Sequence, residues 1–295
     1  MSKKILAHIA IFSANLIYGI NYTVAKDVMP NYIEPLGFIF LRVSGAGILF
    51  WGVFYIFFYE KVEKKDLIRL ALCGLFGVAI NQILFFEGLN LTTPINAAVI
   101  MVINPILVIL IGGFLTVEII TSKKIFGIVL GAVGAVILIT YGSSPIINLE
   151  HLKGNIMILI NATSYAMYLV LAKPLMKKYK PITVISWVFF FGFIYVFPFG
   201  WSEYQLIEWS VMPKDIFWKT VFVVFCTTFL AYLFNIFGLK TLNTSTVSTY
   251  IYLQPVLASI VAILLGSDEL SIIKILSTLI IFAGVYLVSL EHRQS

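Results

Sequence analysis

The sequence predicts an all-α membrane protein: ten transmembrane helices arranged as two inverted five-helix repeats. Three observations carry that reading. Of 295 residues 60% are hydrophobic and 12% charged, with a mean hydropathy of +1.00, whereas water-soluble domains carry about 25% charge. Apolar segments recur at a length that crosses a bilayer, for which about 20 residues suffice, and the short connectors leave room for ten. Finally, residues of the first half return in the second. Gly88-Leu89, Pro105, Leu107 and Gly134 recur as Gly238-Leu239, Pro255, Leu257 and Gly284, 150 positions on. Tyr18, Ala25 and Lys26 recur as Tyr165, Ala172 and Lys173, 147 positions on. The units are residues 1–145 and 146–295. Each holds five spans, an odd number, so the second enters the membrane from the opposite side.

In order, the expected spans are Ile5–Ala25, Ile33–Tyr59, Leu67–Asn90, Pro94–Val117, Ile125–Tyr141, Leu152–Ala172, Ile182–Gly200, Phe217–Leu239, Thr244–Leu265 and Ile272–Leu290. The first follows lysines, as in a signal peptide. It is too long for an h-region, is interrupted by His8, Asn15 and Asn21, and lacks a cleavage site, so it reads as an uncleaved span. Pro30, Pro35, Pro145, Pro181 and Pro213 punctuate the connectors. The one long connector, Trp201 to Lys214, has the composition of a segment lying at the membrane interface.

The net charge of +6 does not point to nucleic acid, because no basic stretch is interleaved with exposed aromatics. It reports orientation. With the N-terminus in the cytoplasm, the inner side holds Lys3, Lys4, Lys61, Lys64, Lys65, Arg69, Lys123, Lys124, Lys173, Lys177, Lys178, Lys180, Lys240 and Arg293. The outer side holds only Lys26, Lys153, Lys214, Lys219 and Lys274. By the positive-inside rule both termini are cytoplasmic. The remaining cation, Arg42, lies within a span.

Two answering stretches, Asn104-Pro105 and Gln254-Pro255, interrupt the fourth and ninth spans. A proline in a helix donates no amide hydrogen and crowds the preceding turn, which frees the carbonyls of Met101 and Ile251. In hydrocarbon such groups are tolerated only where protein or a watery cavity satisfies them. Paired breaks in the two halves of a chain point to a solute site, with Pro105 and Pro255 as gating positions.

Polar stripes inside the spans define the expected binding set: Tyr18 and Asn21, Asn81 and Gln82, Met101 and Asn104, Tyr165 and Tyr168, Tyr232 and Asn235, and Tyr250 and Gln254. Residues three, four and seven apart share a helix face, and polar groups facing lipid are costly, so the stripes should face one another. Carboxamides and phenols offer neutral hydrogen bonds and stacking surfaces. That suits a small amphipathic or zwitterionic solute better than a polyphosphate. Some of these groups could instead only join neighbouring helices, at about 0.6 kcal/mol each.

Arg42 would cost roughly 2.5–3.5 kcal/mol at a helix centre. Either it snorkels outward toward Asp27 or Glu34, or it serves as a gate or a contact for a substrate carboxylate. Glu87 is the acid well inside an apolar run, near its outer end, and no carboxylate sits at mid-depth to carry a proton. Glu118, Asp268 and Glu269 read as span ends. Gly127, Gly131 and Ala135 form a small-residue ridge, for packing within the half or for a dimer face. His8, His151 and His292 are scattered, and Cys73 and Cys226 read as packing residues. No cofactor or metal is expected, and an enzyme would need clustered acid, base or nucleophile. A channel would need a ring of carbonyls or charges.

Tyr18-Gly19-Ile20-Asn21 through Lys26, then Pro35 and Leu41-Arg42, resembles the opening of an EamA domain. So does the run from Gly88-Leu89 through Asn96-Ala97-Ala98 and Asn104-Pro105 to Glu118, Gly127, Gly131 and Gly134. Pro255, Asp268-Glu269 and Gly284 repeat its latter part. The whole chain is similar to two tandem EamA units, the ten-span branch of the drug/metabolite transporter superfamily. It departs from the pattern at Tyr18, where tryptophan is frequent, at Glu87, where an apolar residue is usual, and in having no second copy of Arg42. The resemblance implies export or exchange of metabolites, amino acids or drugs across a bacterial inner membrane. The partners would be a small-molecule substrate and the lipid bilayer, with no nucleic acid, the chain being monomer or homodimer. The alternative within the superfamily is a lipid-linked or nucleotide-sugar carrier.

Overall fold

Where hydrocarbon offers no hydrogen-bond partner, a crossing segment must close its backbone bonds on itself. In the computed structural model, which describes residues 2–115, 121–140, 151–264 and 271–290, the regular elements of the described residues are accordingly all helical. The first half comprises α1 (Lys3–Val28), α2 (Pro35–Phe57), α3 (Lys64–Gly74), α4 (Ile80–Leu91), α5 (Pro94–Met101), α6 (Asn104–Leu115) and α7 (Ser122–Thr140). The second comprises α8 (Leu152–Lys178), α9 (Pro181–Gln205), α10 (Lys214–Phe222), α11 (Ala231–Thr241), α12 (Thr244–Thr249), α13 (Leu253–Leu264) and α14 (Ile272–Ser289).

Local sequence sets the helix starts. Pro35, Pro94 and Pro181 occupy first-turn positions, where the missing amide costs nothing. Ser2, Thr93 and Ser271 accept from amides three residues on and satisfy an orphan donor of the first turn. Nine stretches among the described residues are long and apolar enough to cross a membrane. The tenth, Thr244 to Leu264, is present in pieces: α12, a 3₁₀ turn at Tyr250–Tyr252, and α13.

The halves interlock by exchange. The first helix of each packs on the third span of the other, α8 on α4 and α1 on α11. The second spans, α2 and α9, pack on each other, as do the fifth, α7 and α14. The equivalence extends to single residues. Gly88 faces Gly154 and Ile158, and Gly238 faces Ala7 and Ile11, the same three positions in each half under the 150- and 147-residue offsets. Likewise Gly74 meets Gly192, and Val224 meets Gly45. His8 and Leu290 line one hollow, so the two described chain ends lie at the same end of the bundle.

Several expectations are corrected. The ridge Gly127–Gly131 serves neither packing within its half nor a free face. A Cβ on Gly127 would lie 2.8 Å from the Gly284 carbonyl, and one on Gly131 would lie 2.4 Å from the Tyr252 ring, so the ridge is the seam between α7 and the second half. The first five residues of the long connector after Gly200 continue α9, and residues 206–213 are turn and irregular chain. The α9 helix runs on to Gln205 because Trp201 stacks on Phe197 and Tyr204, while Glu203 Oε2 accepts from the first-turn amides of Leu36 and Gly37. The α8 helix passes Ala172 to Lys178, whose ammonium pairs with Glu63 at 2.7 Å and Asp66 at 2.5 Å. Glu118, Asp268, Glu269, Pro145, His292, Arg293 and the junction at 145/146 lie outside the described residues.

Candidate functional site

Where the interlocked spans meet, they enclose a cavity of about 90 Å³ lined by Asn15, Tyr18 and Asn21 of α1, Arg42 of α2, and Asn81, Gln82, Phe85 and Phe86 of α4. Met101, Asn161, Tyr165, Thr227, Tyr232, Val247, Ile251 and Gln254 complete it. At roughly 10–15 Å³ per water, it has room for several waters or a small solute. Every span except the fifth and seventh of the first-to-ninth series contributes a residue, and both halves do so in matched places: Tyr18 answers Tyr165, and Gln82 answers Tyr232.

The matched pairs bond across the join. Gln82 Nε2 donates to the Tyr232 hydroxyl at 3.2 Å, which is placed to donate to Gly77 O at 3.3 Å or Asn81 Oδ1 at 3.4 Å. Asn161 Nδ2 donates to the Asn81 carbonyl at 2.6 Å. Gln254 Nε2 donates to Asn15 Oδ1 at 2.9 Å, and Asn104 Nδ2 donates to the Ala162 carbonyl at 2.8 Å. Those last two bonds are again equivalent positions. Tyr232 stands edge-on to Tyr18, centroids 6.5 Å apart, and to Phe189 at 5.1 Å.

Two π-helical turns sit beside the cavity, Leu75–Ala79 between α3 and α4 and Val223–Leu230 between α10 and α11. A π turn spaces its bonds at i→i+5 and leaves carbonyls free to side chains, a frequent feature of functional sites. Here hydroxyls take them: Ser164 donates to Phe76 O, and Thr228 to Val223 O at 2.8 Å. The sequence carried no signal for these turns, which contain no proline.

The expected residues divide. Tyr18, Asn21, Asn81, Gln82, Met101, Tyr165, Tyr232, Gln254 and Arg42 line the cavity. Four others do not. Asn104 is fully buried on Ala162, and Tyr168 backs Gly77 from behind, 2.4 Å from where its Cβ would be. Asn235 is buried and interacts with the phenols of Tyr18 and Tyr165. Tyr250 turns to the chain-end side, its hydroxyl 2.7 Å from His8 Nδ1. Lining residues absent from the expected set are Asn15, Phe85, Phe86, Asn161, Thr227, Val247 and Ile251. Asn15 and Asn161 share helix faces with Tyr18 and Tyr165, and Ile251 was marked by its freed carbonyl; Phe85, Phe86, Thr227 and Val247 carried no signal.

Both breaks fall where the prolines placed them. Between α5 and α6 the chain makes tight bonds, Val102 N to Val99 O at 3.2 Å and Ile103 N to Ile100 O at 3.1 Å. Its counterpart is the 3₁₀ turn ahead of Gln254. Met101 and Ile251 both line the cavity.

Arg42 does not snorkel. It is 3% exposed, its Nε donates to Thr228 Oγ1 at 3.0 Å, and its guanidinium lies 4.3 Å from the Phe86 ring centroid. Of the two carboxylates the sequence offered, Asp27 and Glu34, the first pairs with Lys219 at 2.7 Å. Nη1 has no hydrogen-bond partner. Among the described residues no cluster of His, Cys, Asp or Glu is arranged for a metal ion.

The profile of the EamA-like transporter family matches residues 5–140 and, a second time, residues 152–290. The chain belongs to the EamA-like transporter family. Curated relatives include an uncharacterized transporter, YyaM, of Bacillus subtilis, 24% identical over 96% of this chain and 93% of its own length. An uncharacterized transporter of Archaeoglobus fulgidus is 24% identical over 92% of this chain and 94% of its own. A WAT1-related protein of Arabidopsis thaliana is 23% identical over 92% and 79%. A solved crystal structure superposes with a TM-score of 0.76 at 18% identity, covering 99% of this chain and all of the other, which establishes the shared fold. This EamA protein is a multi-pass membrane transporter of a small molecule, not an enzyme.

Proposed function

We propose that this EamA protein is a secondary transporter that exports or exchanges a small amphipathic solute across the cytoplasmic membrane by alternating access, with both termini cytoplasmic. The observation that carries the reading is the cavity at the join of two interchanged halves, flanked by a helix break from each. Two inverted units of similar structure can exchange conformations and present one site to opposite sides in turn. The functional units are residues 1–145 and 146–295. Tyr18, Asn21, Asn81, Gln82, Met101, Tyr165, Tyr232 and Gln254 contact the solute. Asn104, Tyr168, Asn235 and Tyr250 hold the helices that present them, and Arg42, Pro105 and Pro255 govern opening.

A lipid-linked or nucleotide-sugar cargo is less well supported, because one cation among the lining residues cannot balance a diphosphate. The test is uptake by proteoliposomes of the purified chain over a labelled set of amino acids, organic acids, nucleosides and sugars. Saturable uptake lost in Gln82→Leu and Tyr232→Phe, with protein still folded, is expected. Uptake indifferent to both substitutions would overturn the assignment of this cavity.

A further inference from the structure

The charge of the central cavity is unbalanced. Arg42 is the one charged side chain among its lining residues; the rest are carboxamides, phenols, one hydroxyl and apolar groups. It is nearly fully buried, spends Nε on a neutral hydroxyl and leaves Nη1 with no partner. A guanidinium out of water is stable only when paired and hydrogen-bonded. The face of Phe86 at 4.3 Å offsets part of that cost, but supplies no acceptor. Three lining carboxamides also keep an oxygen without a partner: Asn21 Oδ1, Gln82 Oε1 and Asn161 Oδ1.

Resting on the transporter reading above, we propose that the solute is a small organic monoanion whose carboxylate pairs with Arg42 and whose neutral O–H or N–H groups meet the unfilled carboxamide oxygens. A guanidinium fork matches a carboxylate in shape and charge. The preference for a net anion over a zwitterion follows from what the lining lacks. An ammonium would be desolvated with no Asp or Glu among the lining residues to balance it, whereas a hydroxyl or amide N–H needs only the acceptors present. A cation would add to the charge of Arg42, and a dianion would exceed it. The loaded cavity is thus neutral and the empty one carries +1.

The test is titration calorimetry on the full chain in detergent with near-isosteric probes: mandelate (anion), phenylglycine (zwitterion) and mandelamide (neutral), with lactate as a smaller anion. Mandelate or lactate should bind, mandelate at least tenfold tighter than mandelamide and tighter than phenylglycine. Arg42→Gln should weaken anion binding about tenfold or more, since charge-assisted bonds are about twice as strong as neutral ones. Arg42→Lys, which keeps the charge and loses the fork, should fall between. Because Arg42→Gln could misfold, Gln82→Glu provides a second route. It places a carboxylate in the cavity with Arg42 intact, and should abolish anion binding in protein that still elutes as a single folded species. Mandelamide binding as tightly as mandelate, anion affinity unchanged in Arg42→Gln or Gln82→Glu, or no binding of either anion would each overturn the proposal. Anion binding that depends on Arg42 without uptake into proteoliposomes would keep this inference and remove the transport role of the cavity. Uptake of a neutral solute untouched by Arg42→Gln would do the reverse.

Discussion

The hydroxyl of Thr228 sits 186 residues from Arg42 in sequence and holds it in place, accepting from Nε at 3.0 Å while donating to Val223 O. Thr228→Val keeps the volume and removes the acceptor, leaving a second face of a buried cation unpaired. Stability should fall by about 1–3 kcal/mol, the cost of stranding a buried polar group, measured as a lowered unfolding midpoint in detergent. An unchanged midpoint would mean that water replaces the hydroxyl. At this scale the sequence was only partly legible. Residue type and stripe position singled out most of the polar lining, because polar groups in a span rarely face lipid. Which of them point into the cavity, and which brace a neighbour, depends on rotations of a few tens of degrees that spacing does not encode. Asn104 and Tyr250 sit on the right stripes yet turn to Ala162 and His8.

Among the elements, α5–α6 and α12–α13 were the most readable, since a proline within a span removes a backbone donor and crowds the preceding turn, although α8 and α9 run unbroken through Pro174 and Pro198. The two π turns were not readable, because the partners of their carbonyls come from other spans in the first turn, Ser164 and Tyr232, and from a hydroxyl of no distinctive spacing, Thr228, in the second. Pro105→Ala and Pro255→Ala should each restore a backbone donor, straighten one span and reduce transport severalfold while the protein inserts normally. Because the halves are inverted, the two variants should favour opposite-facing states. Thiol labelling from each side reads that out, and identical labelling in both would refute the gating role. The seam of α7 on α14 gives a sharper structural prediction. A Cβ on Gly284 would lie 2.6 Å from the Gly127 carbonyl and the Gly131 amide, backbone atoms that cannot rotate away. Gly284→Ala should therefore cost roughly 1–3 kcal/mol as overpacking, visible as a lower thermal midpoint.

Over the whole molecule, the number of spans, their inversion and the pairing of halves were legible because a bilayer fixes segment length and a repeat fixes offset. Lost to the sequence was the exchange of partners, α1 onto α11 and α8 onto α4, which no local pattern records. At the chain-end side, the connectors of the two halves are latched by Lys178 with Glu63 and Asp66, and by Glu60 with Thr183. Lys178 and Lys65 hold the Glu63 carboxyl below its usual range. A depressed carboxylate stabilises the latch above its unfolded value, about 4.3, and that contribution is lost as pH falls through the lower folded value. Acidification below that range should loosen this end, read as faster labelling of a cysteine placed at Lys61. In the proposed cycle one cavity is reached from both sides in turn. The most direct measurement uses Val247→Cys in a chain with Cys73→Ala and Cys226→Ser, reconstituted in vesicles and treated with an impermeant thiol reagent. Alternating access predicts labelling from either face, slowed from both by bound substrate. Labelling from one face only, under every substrate and membrane-potential condition, would contradict it.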